Sequence, residues 1–273
     1  MSEFEAWSVL AKGDSGDVIL SVDFYGTGRA EAGFHELAPK VGPAFSVLQT
    51  VIPATGLRVD VTAESYLEPW LSEIRASGLR VRAILGYCVG GVYAAAMAAE
   101  IAKWQDDAPE VLLFDPELVN AETIFWQFYK LVGSLSQVLT PEEAADVQAE
   151  GQDAFDETED LAELTEALMA IFRRAGEAAF TRMGLGVEYA QELIDVFGAF
   201  MSYLAVADQI DPLPLWASAT ALTSASPQSG LNRVRASFTG DVVVAREIKF
   251  DVEHVDILRS DVVAAAAVEL LAA

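Results

Sequence analysis

Only one cysteine, Cys88, and two histidines, His35 and His254, occur in the chain, so thiol and imidazole chemistry have few places to arise. Cys88 lies in Gly86-Tyr87-Cys88-Val89-Gly90-Gly91, between the apolar run Val81 to Leu85 and the small residues Ala94, Ala95, Ala96, Ala98 and Ala99. This is a G-x-C-x-G nucleophile elbow, with cysteine where serine is usual. The turn holds its central residue in a strained geometry, and the flanking glycines remove collisions with strand and helix. A sulfur at a helix N-terminus faces free N–H groups and the positive end of the dipole, which predicts a stabilised thiolate. The same N–H groups, Val89 first, suit a reacting oxyanion. A lone cysteine is also an ordinary core residue, and the functional reading rests on the strand before it and the helix after.

A thiol nucleophile requires a base and an orienting acid. His254 follows the last apolar run, in KFDVEHVDILRSD, where a base is expected. His35 sits in FHELAPKVG, where Phe34, Leu37 and Val41 share a helix face, and is read as structural or solvent-facing. Asp115 ends VLLFD and precedes Pro116, which stops the strand and leaves the carboxylate at its edge. Asp211 and Asp256 are the weaker candidates for the acid. A second oxyanion donor is sought in the loop Tyr25-Gly26-Thr27-Gly28-Arg29, from Gly26 or Thr27.

These residues must be carried by regular elements. Apolar runs bounded by turn residues occur at Val18 to Phe24, Ala44 to Ile52, Val81 to Leu85 and Val111 to Phe114, with helical spacing between them, as at Val61 to Ile74. Strands alternating with helices predict an α/β protein with a mostly parallel sheet covered on both faces. From about Ala121 to Ala207 the pattern turns helical, with Thr140-Pro141-Glu142-Glu143 reading as a capping box. The strand signal returns at Leu213 to Leu222 and Asp241 to Phe250. The chain is read as one domain, 1–273, with a helical lid over 120–210 between acid and histidine. Apolar lid residues, among them Phe125, Trp126, Phe128, Tyr129, Phe197, Phe200 and Tyr203, are read as shaping an acyl site, although each type more often packs a core. The tail from Ala264 to Ala273 reads as a docked helix.

Composition narrows the function classes. Against 42 Asp plus Glu stand 17 Lys plus Arg, a formal net charge of −25 over 273 residues, which argues against binding nucleic acid or an anionic membrane. Hydrophobic residues at 52% argue against disorder. Between Glu142 and Glu166 the charged residues are all acidic, the expectation for a solvated face. No Cys/His cluster has zinc spacing, so no metal site is expected. The N-terminus lacks a signal-peptide pattern and no apolar run looks long enough to span a bilayer, so the chain is read as soluble and cytoplasmic.

Taken in order, VILSVDFYGTG, GFHELAPKVG, VTAESYLEPWLSEIRA, ILGYCVGGVYAAAMAAEIA, VLLFDPELVN and EHVDIL resemble the segments of thioesterase domains of the α/β-hydrolase superfamily, over nearly the whole chain. Those domains release acyl or peptidyl chains from carrier proteins in polyketide, fatty-acid and nonribosomal-peptide synthesis. The resemblance implies an α/β-hydrolase fold, a Cys88, Asp115 and His254 triad, and Val89 with Thr27 or Gly26 as oxyanion donors. It further implies an acyl or peptidyl carrier protein as partner, with the substrate thioester on its phosphopantetheine and no other cofactor. Two departures stand out: cysteine replaces the usual elbow serine, and Phe24-Tyr25 replaces the frequent His-Pro of the early loop. A thioester intermediate is more activated toward amines than an oxoester, so aminolysis or cyclisation joins hydrolysis. GYCVGG is also similar to the elbow of dienelactone hydrolases, which use a Cys-Asp-His triad but lack a long helical lid. A site that binds or isomerises without covalent chemistry is the further alternative. Arg80 with Arg82, or Arg173 with Arg174, offer local basic patches for docking a carrier.

Overall fold

A computed structural model describes residues 4–25, 30–42, 44–135, 139–184 and 186–272. In chain order the elements are β1 (Trp7–Ala11), β2 (Asp17–Val22), α1 (Phe34–Leu37), β3 (Ser46–Thr50), α2 (Ala63–Ser77), β4 (Arg80–Tyr87), α3 (Gly90–Ile101) and β5 (Glu110–Phe114). Four long helices follow: α4 (Ala121–Ser134), α5 (Pro141–Glu157), α6 (Leu161–Met183) and α7 (Val187–Asp208). The chain closes with α8 (Leu213–Trp216), β6 (Thr220–Thr223), α9 (Gly230–Ser237), β7 (Arg246–Lys249) and α10 (Asp261–Ala272).

Two compact units emerge. The first comprises Met1–Val51, Ala63–Leu118 and Ile210–Ala273, and the second Ile52–Thr62 and Val119–Gln209. The first unit is built on a seven-stranded sheet of order β1-β3-β2-β4-β5-β6-β7. Only β1 runs antiparallel, against β3; the remaining pairs are parallel. This is the α/β architecture expected from the alternating runs. Successive residues Ala83, Ile84 and Leu85 of β4 are all buried, as a strand covered on both faces requires. On one side Ile19, Val47, Ala83, Leu85 and Phe114 pack against Phe34, Leu37, Ile257, Leu258 and Ala267, so α10 docks as the tail composition predicted. The sheet therefore holds the C-terminal ends of β4, β5 and β6 side by side, which is where the chemical residues emerge.

The second unit is helical. Thr140 and Glu143 form the capping box in full, Glu143 N–H donating to Thr140 Oγ1 and Thr140 N–H to Glu143 Oε2. Ile52–Thr62, absent from the sequence reading of the helical block, is tied to α7 by Arg58 N–H donating to Ser202 Oγ at 2.6 Å, and to the residue that caps it by Gln209 Nε2 donating to Val61 O at 3.0 Å. Phe125, Phe128, Phe197 and Tyr203 are buried, whereas Trp126 and Tyr129 are substantially exposed. The acidic run is not left wholly to solvent: Glu143 pairs with Arg182 and Glu150 with Arg174.

Three expectations change. The strand expected over Leu213 to Leu222 begins instead with the short helix α8, because Pro214 suits a first helical turn and the turn buries Trp216. The antiparallel edge strand β1 was not anticipated, being short and half exposed. Contrary to the expectation that no run could span a bilayer, Ala190–Asp208 of α7 is long and apolar enough by length and composition; 67% of it is buried, so packing within its unit accounts for that hydropathy.

Candidate active site

The elbow forms as its glycine spacing requires. Cys88 joins β4 to α3 at φ +52°, a left-handed conformation that a non-glycine residue adopts only under constraint. Its N–H donates to Phe114 O at 3.0 Å, and its carbonyl accepts from Gly91 N–H at 3.0 Å and Glu117 N–H at 3.2 Å. The strand and helix approach so closely that a Cβ on Gly86 would stand 2.6 Å from Gly91 Cα and 2.8 Å from Ala94 Cβ. Trp216 fixes the helix start from the other side, its indole N–H donating to Gly91 O at 3.0 Å.

Asp115 is fully buried at the end of β5, and it too has a positive φ, +45°. Pro116 disfavours the right-handed helical region for the residue before it, and aspartate tolerates the left-handed one. The backbone is held by Asp115 N–H donating to Leu222 O at 3.0 Å. One carboxylate oxygen, Oδ1, accepts from Ser224 N–H at 2.7 Å; the other, Oδ2, lies 2.9 Å from His254 Nδ1. A carboxylate oxygen accepts, so in this contact Nδ1 donates and Nε2 is the ring nitrogen left for the rest of the site.

His254 stands on a short 3₁₀ turn, His254–Asp256, after β7. Its backbone N–H donates to Ser226 Oγ at 2.8 Å, while the Ser226 hydroxyl donates to Glu253 Oε2 at 2.6 Å. The imidazole stacks on Tyr87, with centroids 5.0 Å apart and planes 20° apart. The Tyr87 hydroxyl is 3.0 Å from Nε2 and 3.1 Å from His254 O, one proton between two acceptors. A nitrogen of this ring, the Cys88 sulfur and a Glu117 carboxylate oxygen all lie within 4.8 Å of one another.

Glu117 was not singled out by motif reasoning. It is buried, accepts from Gly230 N–H at 3.0 Å through Oε1, and has Oε2 3.5 Å from an Arg233 guanidinium nitrogen. Its charge matters to the sulfur. Burial pushes the Cys88 thiol well above its ordinary range, the negative charge of Glu117 adds to that, and Asp23 and Asp115 push the same way. A hydrogen bond from the Val89 backbone opposes them without prevailing. The expected thiolate is therefore corrected: desolvation and nearby carboxylates outweigh the helix terminus, and the resting sulfur is a thiol.

The remaining sequence candidates disperse. Asp256 pairs with Arg259 at 3.1 Å, and Asp211 accepts from Leu213 N–H at 3.2 Å. His35 is exposed, edge-on to Tyr25 and 4.0 Å from Glu36. Gly26 and Thr27 lie outside the described residues. Both basic patches have acidic partners: Arg80 binds Asp17 and Asp107, Arg82 binds Glu110, and Arg174 binds Glu150.

No protein-family model and no curated protein matches the chain. Solved structures do. The NocB thioesterase domain, in covalent complex with a fluorophosphonate nocardicin G analog, is 16% identical, covers 98% of this chain and 100% of its own, and gives a TM-score of 0.54. SrfTE, the thioesterase domain that cyclises the lipopeptide antibiotic surfactin, is 11% identical over 98% of this chain and 96% of its own, with a TM-score of 0.52. The four-domain nonribosomal peptide synthetase AB3403 is 12% identical, and its match covers 97% of this chain and 20% of that one, with a TM-score of 0.56. With its sheet order, its elbow between β4 and α3, and these likenesses, the chain has the α/β-hydrolase fold.

Proposed function

We propose that the protein is a thioesterase-type acyl-transfer enzyme that takes an acyl or peptidyl chain from the phosphopantetheine thioester of a carrier protein onto Cys88. In the first half-reaction His254 Nε2 removes the thiol proton as sulfur attacks the thioester carbonyl, and Val89 N–H faces the developing oxyanion. The pantetheine sulfur leaves with the proton held by His254. In the second, water, an amine or a hydroxyl attacks the acyl-Cys88 carbonyl, gives its proton to His254, and Cys88 leaves as thiol. Asp115 orients the ring and offsets its positive charge during transfer. Because the resting sulfur is a thiol, its proton must be removed as part of the first half-reaction, and the base is indispensable. A cysteinyl thioester is susceptible to amines, so release by aminolysis or cyclisation accompanies hydrolysis. The helices α4 to α7, standing in sequence between acid and histidine, are the part assigned to select the acyl chain.

The observation that carries this reading is the 2.9 Å contact between Asp115 Oδ2 and His254 Nδ1, on a ring within 4.8 Å of a sulfur held at φ +52°. The test is incubation with a panel of acyl-pantetheine thioesters and intact-mass detection of an acyl adduct. The adduct is expected on Cys88, absent from Cys88→Ala, and formed about 100- to 10,000-fold more slowly in His254→Ala. Full turnover in both variants with Cys88 unmodified overturns the assignment.

One observation favours a second reading, binding or isomerisation without a covalent intermediate: the thiol is pushed up rather than down. It requires that acyl-pantetheines bind and are released or isomerised with no adduct at any time, and that Cys88→Ala keeps that activity.

A further inference from the structure

The sulfur, imidazole and carboxylate that converge here have a second chemical capacity. The Cys88 sulfur, a His254 nitrogen and a Glu117 oxygen lie within 4.8 Å of one another, the donor set that borderline-soft divalent cations prefer. Each donor is supported from behind. Asp115 Oδ2 holds His254 Nδ1 at 2.9 Å, the carboxylate–histidine arrangement that orients metal-binding imidazoles and makes the other nitrogen more basic. Glu117 is fixed by Gly230 N–H through one oxygen and faces Arg233 with the other. Cys88 is fixed by its elbow. All three donors are buried or partly buried side chains from separate stretches of the chain, so their convergence is a product of the fold rather than of local spacing.

The geometry points to a three-ligand site for Zn²⁺ or a cation of like softness at Cys88, Glu117 and His254, whose occupation reversibly blocks the nucleophile. Zinc bond lengths put tetrahedral donors about 3.5 Å apart, so donors within 4.8 Å of one another must close by about 1.3 Å at most, within reach of side-chain rotation. With Nδ1 engaged by Asp115, Nε2 coordinates. The Tyr87 hydroxyl then leaves Nε2 and keeps His254 O, 3.1 Å away, as its acceptor. As the sulfur–metal bond forms, the thiol proton passes to solvent, and the fourth position stays open to water. Three protein ligands and one open position form the pattern of accessible rather than structural zinc sites. The search for zinc spacing along the sequence missed this site because one donor is a glutamate and the three residues are widely separated. Metal binding does not rest on the acyl-transfer reading; only the inhibition does.

The test uses the metal-free full chain titrated with Co²⁺, whose thiolate complexes absorb strongly in the near ultraviolet, followed by displacement with Zn²⁺. A one-to-one thiolate band is expected, absent in Cys88→Ala. Glu117→Gln and Asp115→Asn are expected to weaken Co²⁺ binding about 10- to 100-fold. Tyr87→Phe removes the competing hydroxyl and is expected to bind at least as tightly as the parent. Zn²⁺ is expected to protect Cys88 of the unmodified chain from alkylation until a chelator is added, a readout that needs no variant to fold. Absence of the thiolate band, or absence of Zn²⁺ protection, overturns the site. A band unchanged by Glu117→Gln in a folded variant overturns the three-ligand arrangement. Protection by Zn²⁺ without acyl-adduct formation on Cys88 would leave the metal site standing while the acyl-transfer reading fails.

Discussion

Replacing Gly230 by alanine strikes Asp115, the acid of the proposed triad, from a residue remote from it in sequence. Gly230 opens α9 at φ +57°, and a Cβ built there would stand 2.5 Å from Asp115 Oδ1, 2.8 Å from its Cγ and 2.9 Å from its Cα. Two costs follow. The left-handed conformation costs a residue with a Cβ about 1–2 kcal/mol, and overpacking a filled site costs about 1–3 kcal/mol. Together they destabilise the fold by about 2–5 kcal/mol. Relief of the clash requires either retreat of Asp115, which binds Ser224 N–H at 2.7 Å and His254 Nδ1 at 2.9 Å, or retreat of Gly230, whose N–H binds Glu117. Reaching ordinary contact takes about 0.9 Å, and misplacement on that scale costs about 100-fold in turnover. Gly78 provides the control for strain alone: its φ is +67°, with nothing within 4 Å of its Cβ position. Gly16, with no such φ and open space, controls for the alanine itself. Denaturant unfolding and acyl-pantetheine turnover should rank the alanine variants Gly16, Gly78 and Gly230 in order of stability loss, with turnover lost only in Gly230→Ala. If Gly230→Ala loses no more of either quantity than Gly78→Ala, the inferred closeness of α9 to the acid is wrong.

Three further outcomes are expected. Alkylation of Cys88 should be slow at neutral pH and still climbing well past the range in which an ordinary cysteine has levelled off, because burial and then Glu117 push the thiol up; Glu117→Gln should shift that profile to lower pH, and a rate flat from about pH 6 to 8 would contradict the thiol assignment. Arg182, with the Thr140 backbone, brings the Glu143 carboxyl down from 4.5 to about 2. A depressed carboxyl stabilises the folded state above its unfolded value and loses that effect as pH falls through its folded value. The stability difference between the parent and Glu143→Gln should therefore be constant above about pH 4.5 and fade toward about pH 2 in an acid unfolding series. Trp216→Phe leaves the buried Gly91 carbonyl without its indole donor and should cost about 1–3 kcal/mol in denaturant unfolding.

What the sequence made legible follows the range of the interactions concerned. The elbow could be read because its requirements are local: Gly86 and Gly90 stand two residues from Cys88, and Gly86 clears the start of the helix that follows at once. Asp115 could be placed at the end of β5 from Pro116 and the apolar run, and His254 by elimination among two histidines. The capping box at Thr140 is likewise a four-residue signal. Other features depend on contacts across the chain. The 2.7 Å contact between Ser224 N–H and Asp115 Oδ1 spans 109 residues, and the Gly230 N–H to Glu117 bond spans 113. No period or composition marks such partners. Glu117 reads in sequence as a polar residue two places past a strand end, and Gly230 as one glycine in a turn-rich stretch.

The protonation of the sulfur shows why local logic can predict a position and miss its electrostatics. A helix N-terminus acts within about one turn and contributes the equivalent of half a charge. Burial of the sulfur, and after it a whole carboxylate within 4.8 Å, both favour the neutral thiol and together exceed it. The elbow thus presents the sulfur while burial first, and Glu117 after it, keep its proton in place, and under the proposed acyl transfer such a site depends on its base more than one with a preformed thiolate. The same carboxylate that opposes an unpaired thiolate would stabilise a thiolate bound to a cation, since the positive charge then stands between them. One residue therefore acts in opposite directions in the two states, and the effect of Glu117→Gln should reverse accordingly: easier ionisation of the free sulfur, weaker capture of the metal.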